Sequence, residues 1–446
     1  MNKLFGTDGV RGVANSELTP ELAFKLGRIG SYIITKNNTN KNKFIIIGRD
    51  TRQSGDMLSA SISAGICSLG VDVWDIGIAP TPVIAWLVKN FKAQAGVVIS
   101  ASHNPAKDNG IKFFNHEGNK LADELEAEIE DIIASNMDEL ARPTGEYVGR
   151  IENKTDIVSS YIVFLEELMS YPIDKLKVGI DTANGANYHL ASYVYESLGI
   201  KHFVINCNPD GKNINNNCGS THPESLKKLI LNEGLDLGIA FDGDADRLLA
   251  MDSQGRIVDG DEIIFICSKY LPILADNKTI VATVMSNLGF EQAMKALGKE
   301  FIRAKVGDRY VSEQIAISGA KIGGEQSGHI IFPELNTTGD GLLNSLMLLQ
   351  AIHRSGKSLA ELKDELKLFP QILINIKIEN KDIINTNPLI LSAIKKATDE
   401  LGSDGRILVR PSGTEPLVRV MVEGINHENI KLHAENIANT IKAHAK

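Results

Sequence analysis

Between residues 44 and 114 the sequence alternates short apolar runs with stretches of helical periodicity, and few folds accept that alternation. Phe44-Ile-Ile-Ile47 is apolar and mostly β-branched, as a strand buried on both faces is. It runs into a polar loop, Gly48-Arg-Asp-Thr-Arg-Gln-Ser54. Residues 55–69 then carry Met57, Leu58, Ile62 and Ile66 at helical spacing. A strand is expected at 71–76, a helix at 81–91 and a further strand over Val97-Val-Ile99. The order β-α-β-α-β implies a largely parallel sheet covered by helices. Such sheets bind ligands just beyond the carboxyl ends of their strands.

The loop after the third strand is Ser100-Ala-Ser-His-Asn-Pro105, which presents Ser102 beside His103. Ser102 is a candidate nucleophile there, although Ser-His-Asn-Pro is also ordinary turn chemistry. Asn109-Gly-Ile-Lys-Phe-Phe114 reads as a strand leaving this loop, with Lys112 near its start. A charged amphipathic helix is expected at 121–135. Upstream, Phe5-Gly-Thr-Asp-Gly-Val-Arg-Gly12 sets three glycines around Arg11. Glycines let a backbone turn closely against a ligand, and arginine forks onto phosphate oxygens. A plain N-terminal hairpin turn is the alternative.

The 446 residues are too many for one core, and about three or four domains fit. Residues 136–155 are polar and hold Pro143 and Gly145, a domain boundary by composition. A second α/β unit follows, with a helix near 156–169, strands at 176–180 and 202–206, a polar loop at 213–224 and a helix at 224–233. Its strand 237–241 delivers Asp242-Gly-Asp-Ala-Asp-Arg247. A third unit starts near 254–260, with helices at 261–271, 289–297, 339–354 and 359–366 and a strand at 279–284. From about Phe369 the pattern changes to a strand at 372–378, a helix at 388–401, strands around 410–422 and a helix at 427–444. The expected domains are 1–153, 154–254, 255–368 and 369–446.

Asp242, Asp244 and Asp246 are the strongest chemical signal. Three carboxylates at i, i+2 and i+4 repel one another unless a cation lies between them. On a flat strand, i and i+2 side chains stand roughly 7 Å apart, too far to share one ion. Gly243 and Ala245 are small enough for the backbone to curl and bring all three together. An EF-hand does not fit, because its sixth position would be Arg247 rather than Gly and its twelfth Ser253 rather than Glu. Oxygen-only ligands favour Mg²⁺; a solvated acidic turn is the alternative. Arg247, directly after the carboxylates, suits a phosphate brought to the metal.

Two further loops complete the set. Gly323-Gly-Glu-Gln-Ser-Gly-His329 puts Glu325, Ser327 and His329 at alternate positions, which would share one face if the segment were extended. A carboxylate, a hydroxyl and an imidazole together suit sugar hydroxyls, although a β-turn with a structural histidine would read the same way. Near the end, Arg410-Pro-Ser-Gly-Thr-Glu-Pro416 and Arg419 supply two guanidinium groups, the hydroxyls of Ser412 and Thr414, and free amides around Gly413. That is a phosphate cradle without a P-loop lysine, or else a solvated loop.

Composition excludes more than it identifies. The formal charge of −9 argues against a nucleic acid or an anionic membrane as partner, but not against an anionic substrate, because a site's charge is local. Cys67, Cys207, Cys218 and Cys267 are scattered without a C-x-x-C pair and read as reduced residues of a cytoplasmic chain. The first residues lack a signal-peptide h-region. No run approaches the ~18 apolar residues of a membrane span.

Ser-Ala-Ser-His-Asn-Pro, Asp-Gly-Asp-Ala-Asp-Arg, Gly-Glu-Gln-Ser-Gly-His and Arg-Pro-Ser-Gly-Thr-Glu-Pro occur here in the order seen in the α-D-phosphohexomutases, which the chain resembles over essentially its whole length. Phe5-Gly-Thr-Asp-Gly-Val-Arg-Gly12, the Asn-Cys-Gly-Ser-Thr-His-Pro-Glu run ending at Glu224, and Gln326 are similar to the branch that handles glucosamine phosphates. The resemblance implies an α/β protein: three related α/β domains with mixed sheets plus a smaller α+β C-terminal domain, around a central cleft. It implies that Ser102 is a phosphoserine in the active enzyme. Asp242, Asp244 and Asp246 would hold one Mg²⁺ per chain, with Ser102 completing its shell.

The implied reaction interconverts glucosamine 6-phosphate and glucosamine 1-phosphate through glucosamine 1,6-bisphosphate. It would feed UDP-N-acetylglucosamine and cell-wall precursor synthesis, with that bisphosphate or glucose 1,6-bisphosphate as activator. Arg11 and Arg247 would neutralise the transferring group. Glu325, Ser327 and His329 would grip the sugar. Arg410, Ser412, Gly413, Thr414 and Arg419 would hold the phosphate that is not reacting. Lys112, His103 and His329 are the candidates for general acid and base. A homodimer is compatible with the resemblance. A phosphohexomutase of different sugar preference and a non-catalytic phosphosugar-binding protein are the competing readings.

Overall fold

The computed structural model describes residues 4–6, 8–36, 43–135, 138–169, 172–173, 175–411 and 417–444. The chain divides into two compact units: Met1–Met285 with Lys299–Asp364, and Ser286–Gly298 with Glu365–Lys446. Among the described residues, the first unit holds three sheets and the second holds one.

The first sheet takes strands β1 (Phe5–Gly6), β2 (Gly9–Val13), β3 (Phe44–Arg49), β4 (Asp72–Ile78), β5 (Ala95–Ile99), β6 (Asp108–Asn115) and β7 (Ile151–Asn153). Their order across the sheet is β1-β2-β6-β5-β3-β4-β7. Strands β5, β3, β4 and β7 run parallel, as the alternation requires. Strand β6 runs antiparallel to β5, because it returns through the short loop that carries Ser102. The helices are α1 (Pro20–Lys25) and α2 (Ser31–Thr35), joined by a π-helical turn, then α3 (Ser54–Cys67), α4 (Thr81–Phe91) and α5 (Asp123–Ser135). Pro82 in the first turn of α4 sits where a missing N–H costs nothing. The polar stretch 136–155 is not simply a linker: β7 lies in it and pairs with β4. Core residues such as Ile45, Ile47, Ile62, Ile66 and Val97 are fully buried.

Helix α6 (Val158–Leu168) leads into the second sheet, built from β8 (Lys177–Asp181), β9 (Lys201–Ile205), β10 (Leu237–Phe241), β11 (Leu248–Asp252) and β12 (Ile257–Val258). Helices α7 (Leu190–Ser197) and α8 (Glu224–Glu233) are its crossovers. All five residues of β10 are buried, so its carboxyl end brings Asp242 into the interior. The third sheet follows α9 (Gly260–Tyr270), whose Asp259–Glu262 capping box fixes its start. It contains β13 (Thr279–Thr283), β14 (Glu300–Ala304), β15 (Gly323–Gly324) and β16 (Ile330–Ile331). Helix α10 (Leu288–Ala296) connects β13 to β14 yet is compact with the second unit. Helices α11 (Asp308–Ser318), α12 (Gly341–Ser355) and α13 (Leu359–Lys363) complete the first unit.

The second unit is a three-stranded antiparallel sheet of β17 (Gln371–Lys377), β18 (Gly405–Pro411) and β19 (Leu417–Gly424), in the order β17-β19-β18. Its other helices are α14 (Ile383–Thr386), α15 (Pro388–Leu401) and α16 (His427–His444). Ile430, Ala434, Ile437 and Ile441 form one buried stripe along α16. Within this unit the Asn287 side chain exchanges two hydrogen bonds with the Phe369 backbone, both 2.9 Å, at the start of α10.

Candidate active site

Ser102 leaves β5 in a left-handed backbone conformation, φ +50°, which a non-glycine residue adopts only when its surroundings hold it there. Ser102 Oγ donates to Asp242 Oδ2 at 2.5 Å and lies 3.2 Å from His103 Nδ1. Ser102 is thus brought to the aspartate loop of the second sheet.

That loop curls as its small residues allow. Ala245 takes φ +56°, and its N–H closes a turn onto the Asp242 carbonyl at 3.1 Å. One oxygen from each of Asp242, Asp244 and Asp246 lies within 4.8 Å of the others, and all three residues are buried. Thr81, the first residue of α4, donates to Asp244 Oδ2 at 2.7 Å, and Lys112 Nζ reaches the same oxygen at 2.7 Å. Oδ1 of Asp244 and Oδ1 of Asp246 are buried without a hydrogen-bond partner. Buried carboxylate oxygens left unpaired are costly, and a cation would satisfy both. The donor set therefore fits an oxygen-liganded metal ion.

The charges around the loop divide the three carboxylates. Burial, then Asp246 and Asp244, pushes the Asp242 carboxyl well above its ordinary value. Burial also opposes the charge on Asp244, but Lys112 outweighs it and holds that carboxyl below its ordinary value. Burial disfavours the Lys112 ammonium too, yet Asp244, Asp246 and Asp8 raise its pKa. Lys112 is thus a counter-ion of the aspartate loop as well as the neighbour of Asp244 Oδ2. His103 is different: burial, with Arg247 and Arg11 nearby, lowers its pKa to about 4. It is neutral at pH 7 and beside Ser102.

The sugar-loop residues do not share one face. Gly328 takes φ +93°, and its N–H bonds the Glu325 carbonyl at 2.9 Å, so residues 325–328 form a tight turn between β15 and β16 rather than an extended segment. A Cβ at Gly328 would lie 2.0 Å from the Leu248 carbonyl oxygen, so the turn sits directly on the segment after Arg247. Ser327 is exposed and Glu325 half-buried, with Oε1 accepting from Gly307 N–H at 3.1 Å. His329 is buried behind them, its Nε2 accepting from the Gly339 N–H at 3.2 Å. The same nitrogen lies 3.6 Å from Asp308 Oδ2. Gln326 donates through Nε2 to Asp259 Oδ2 at 3.0 Å, tying the loop to the cap of α9.

Arg11 Nη2 pairs with Asp8 at 2.6 Å, and Asp8 in turn binds Lys120 Nζ at 2.5 Å. Lys120 also pairs with Asp308 at the start of α11. The sequence reading missed Lys120, Asp308 and Thr81. Only Asp308 had a signal, its position in the loop Val306-Gly-Asp-Arg-Tyr310. Arg247 bonds through its backbone N–H to Asp242 Oδ1 at 3.2 Å, and its guanidinium lies near Asp246.

In the second unit, Arg410 and Arg419 are directly opposite each other across the β18–β19 pair. Burial, then Arg419, depresses the pKa of Arg410. Like charges in facing positions destabilise a sheet unless an anion lies against them. Ser412, Gly413 and Thr414 lie outside the described residues.

Family models match nearly the whole chain: phosphoglucomutase/phosphomannomutase alpha/beta/alpha domain I at residues 2–139, domain II at 159–255, domain III at 259–369 and the C-terminal domain at 373–440. The chain belongs to the phosphoglucomutase/phosphomannomutase family, the α-D-phosphohexomutases. It is 51% identical over 444 residues to the phosphoglucosamine mutase of Desulforamulus reducens, covering 99% of both chains. It is 50% identical over 450 residues to that of Clostridium novyi, covering 100% of both. Among solved structures it is similar to a Burkholderia thailandensis phosphoglucomutase/phosphomannomutase family protein, with TM-score 0.84, 23% identity and coverage of 99% and 98%. An Aspergillus fumigatus N-acetylphosphoglucosamine mutase, solved with GlcNAc-6P and magnesium, matches with TM-score 0.71 and 17% identity, covering 99% of this chain and 96% of that one. At such identities the likeness is one of fold. No helix among the described residues is long and apolar enough to cross a membrane.

Proposed function

We propose that this chain interconverts glucosamine 6-phosphate and glucosamine 1-phosphate, the activity for which its curated relatives are named. The observation that carries the reading is the 2.5 Å contact of Ser102 Oγ with Asp242, inside a buried three-aspartate loop. A phosphosugar-binding protein without catalysis would have no use for a serine held on a metal site. Ser102 is the phosphoryl carrier. Asp242, Asp244 and Asp246 hold one Mg²⁺, which when bound supplies charge stabilisation to the transferring group. The phosphorus–Oγ bond of phosphoserine breaks as a bond forms to O1 of glucosamine 6-phosphate. The proton of that hydroxyl passes to the Ser102 side, where neutral His103 is 3.2 Å from Oγ. Return of the 6-phosphate of the resulting 1,6-bisphosphate to Ser102 releases glucosamine 1-phosphate. Arg11 and Arg247 flank the reacting group, and Glu325 and Ser327 bind sugar hydroxyls. Glucosamine 1,6-bisphosphate or glucose 1,6-bisphosphate would charge the enzyme. The domains meet near residues 153, 254 and 368, and the site of action is the cytoplasm.

The sugar preference tests the substrate. The 2-amino group of glucosamine is largely an ammonium at neutral pH, and Glu325 in the sugar loop is a carboxylate acceptor. One charge-assisted contact of roughly 1.5–3 kcal/mol corresponds to about 10- to 150-fold in kcat/KM for glucosamine over glucose 6-phosphate. Parallel kinetics on both, each primed by its bisphosphate, check this. Equal efficiencies, or a preference for glucose or mannose phosphates, would reassign the substrate.

Arg410 and Arg419, with Ser412, Gly413 and Thr414, hold the phosphate that is not reacting. Arg419→Ala is expected to raise KM with a smaller fall in kcat, the pattern of lost uniform binding. A lowered kcat at unchanged KM would contradict this role.

A further inference from the structure

The backbone of Ser102 is anchored at both ends of the residue. Its N–H donates to Ser100 Oγ at 3.0 Å. Its carbonyl accepts from Arg52 Nη2 at 3.1 Å and from Asn215 Nδ2 at 2.8 Å. The same two donors also reach the Asn104 carbonyl, at 2.6 Å and 3.1 Å. Arg52 is fully buried and its guanidinium pairs with Asp50, so it approaches from within the first sheet's loops. Asn215 comes from the loop after β9, in the second sheet's part of the chain, and is itself left-handed at φ +57° with its N–H on the Ala183 carbonyl at 2.9 Å. A Cβ at Gly243 would lie 2.6 Å from the Ser102 carbonyl oxygen and 2.8 Å from Asn215 Nδ2. The aspartate loop is therefore packed directly on these contacts.

We propose that Asn215 and Arg52 are positioning residues that clamp the Ser102 carbonyl, hold the serine in its left-handed conformation and so set the distance from its Oγ to the aspartate loop. The inference rests on the phosphoserine reading above. An unconstrained serine at φ +50° would relax toward the ordinary regions of backbone space, and its side chain would swing off Asp242. A fixed backbone leaves only the side-chain torsion free, which suits a group that must meet first one hydroxyl and then another at the same place. Asn215 joins two sheets through one amide, so it also gauges the serine loop against the metal loop.

The test uses the full-length protein. Asn215→Gly keeps the left-handed conformation and removes the amide; Asn215→Asp keeps the size and turns the donor into an acceptor facing two carbonyls. Both are expected to lower kcat about 10- to 100-fold, the scale of a misplaced reacting group, with KM within about twofold. The rate at which glucose 1,6-bisphosphate phosphorylates Ser102, followed by intact mass, should fall by the same factor. Arg52→Lys keeps the charge but loses the fork, and is expected to lie between wild type and Asn215→Gly. Asn216→Ala, on the same loop but outside the clamp, is the control and should behave as wild type. Wild-type kcat and phosphorylation rate in Asn215→Gly would overturn the inference, as would a loss that appears in KM. If wild-type Ser102 takes no phosphoryl group, the phosphoserine reading falls and this one with it; if it does and Asn215→Gly matches it, only the clamp is wrong.

Discussion

Replacing Ser102 by alanine is expected to lower mutase turnover by more than roughly 10³-fold, since removing a covalent carrier removes the reaction path itself. The protein should still fold. The hydroxyl contributes one hydrogen bond to Asp242, worth about 1 kcal/mol, and the Arg247 N–H remains on the other oxygen of that carboxylate. As purified, the wild-type protein should carry a fraction with one added phosphoryl group, mapped to the peptide containing Ser102, and the alanine variant none. Near wild-type turnover in Ser102→Ala would refute the carrier role. Ser100→Ala is expected to be milder, because Ser100 Oγ supports the Ser102 N–H without touching Asp242.

Metal removal is expected to have an effect of similar size, and it carries a pH signature. Three buried carboxylates cannot all ionise cheaply without a cation. Burial, then Asp246 and Asp244, raises the pKa of Asp242 well above its ordinary value. A carboxyl with a raised folded-state pKa contributes stability below its unfolded-state pKa and loses it as pH rises through the folded-state value. The metal-free protein should therefore lose stability as pH rises above the ordinary carboxylate range, and Mg²⁺ should restore it while displacing a proton. Melting curves with chelator or Mg²⁺ across pH would show the first. Titration calorimetry in two buffers of different ionisation enthalpy would show the second. Asp244→Asn should weaken binding and turnover together. Chelation that leaves activity intact, or metal uptake without proton release, would count against the site.

The sequence exposed those residues whose roles depend on local pattern. Asp242 lies at the end of an apolar run, and small residues separate the aspartates, so their convergence could be read from spacing. Helices 81–91, 224–233, 388–401 and 427–444 begin and end where periodicity places them. Roles that depend on distant pairing were hidden. Nothing in the sequence neighbourhood of Lys112 shows that Asp244 will lie 2.7 Å from its ammonium. Arg52 and Asn215 reach Ser102 from loops far along the chain, and neither type of residue is unusual in a polar loop. Glu325, Ser327 and His329 were spaced for one face, but Gly328 reverses the chain between them. That glycine was visible; its positive φ was not.

Helix α10 gives the C-terminal unit a discontinuous origin. As the chain leaves the ribosome, Asn287 emerges well before Phe369, the residue whose backbone it must bond, and Gly289 before the Lys367 carbonyl against which it is closely packed. The last unit therefore cannot complete itself from the residues made last: it waits with one piece already delivered, from the stretch of sequence that links β13 to β14. A fragment cut out at residue 369 would contain all three strands β17, β18 and β19 and still lack that piece. The first unit has all of its residues once Asp364 is made, whereas the second closes only when its own strands join a helix made long before them.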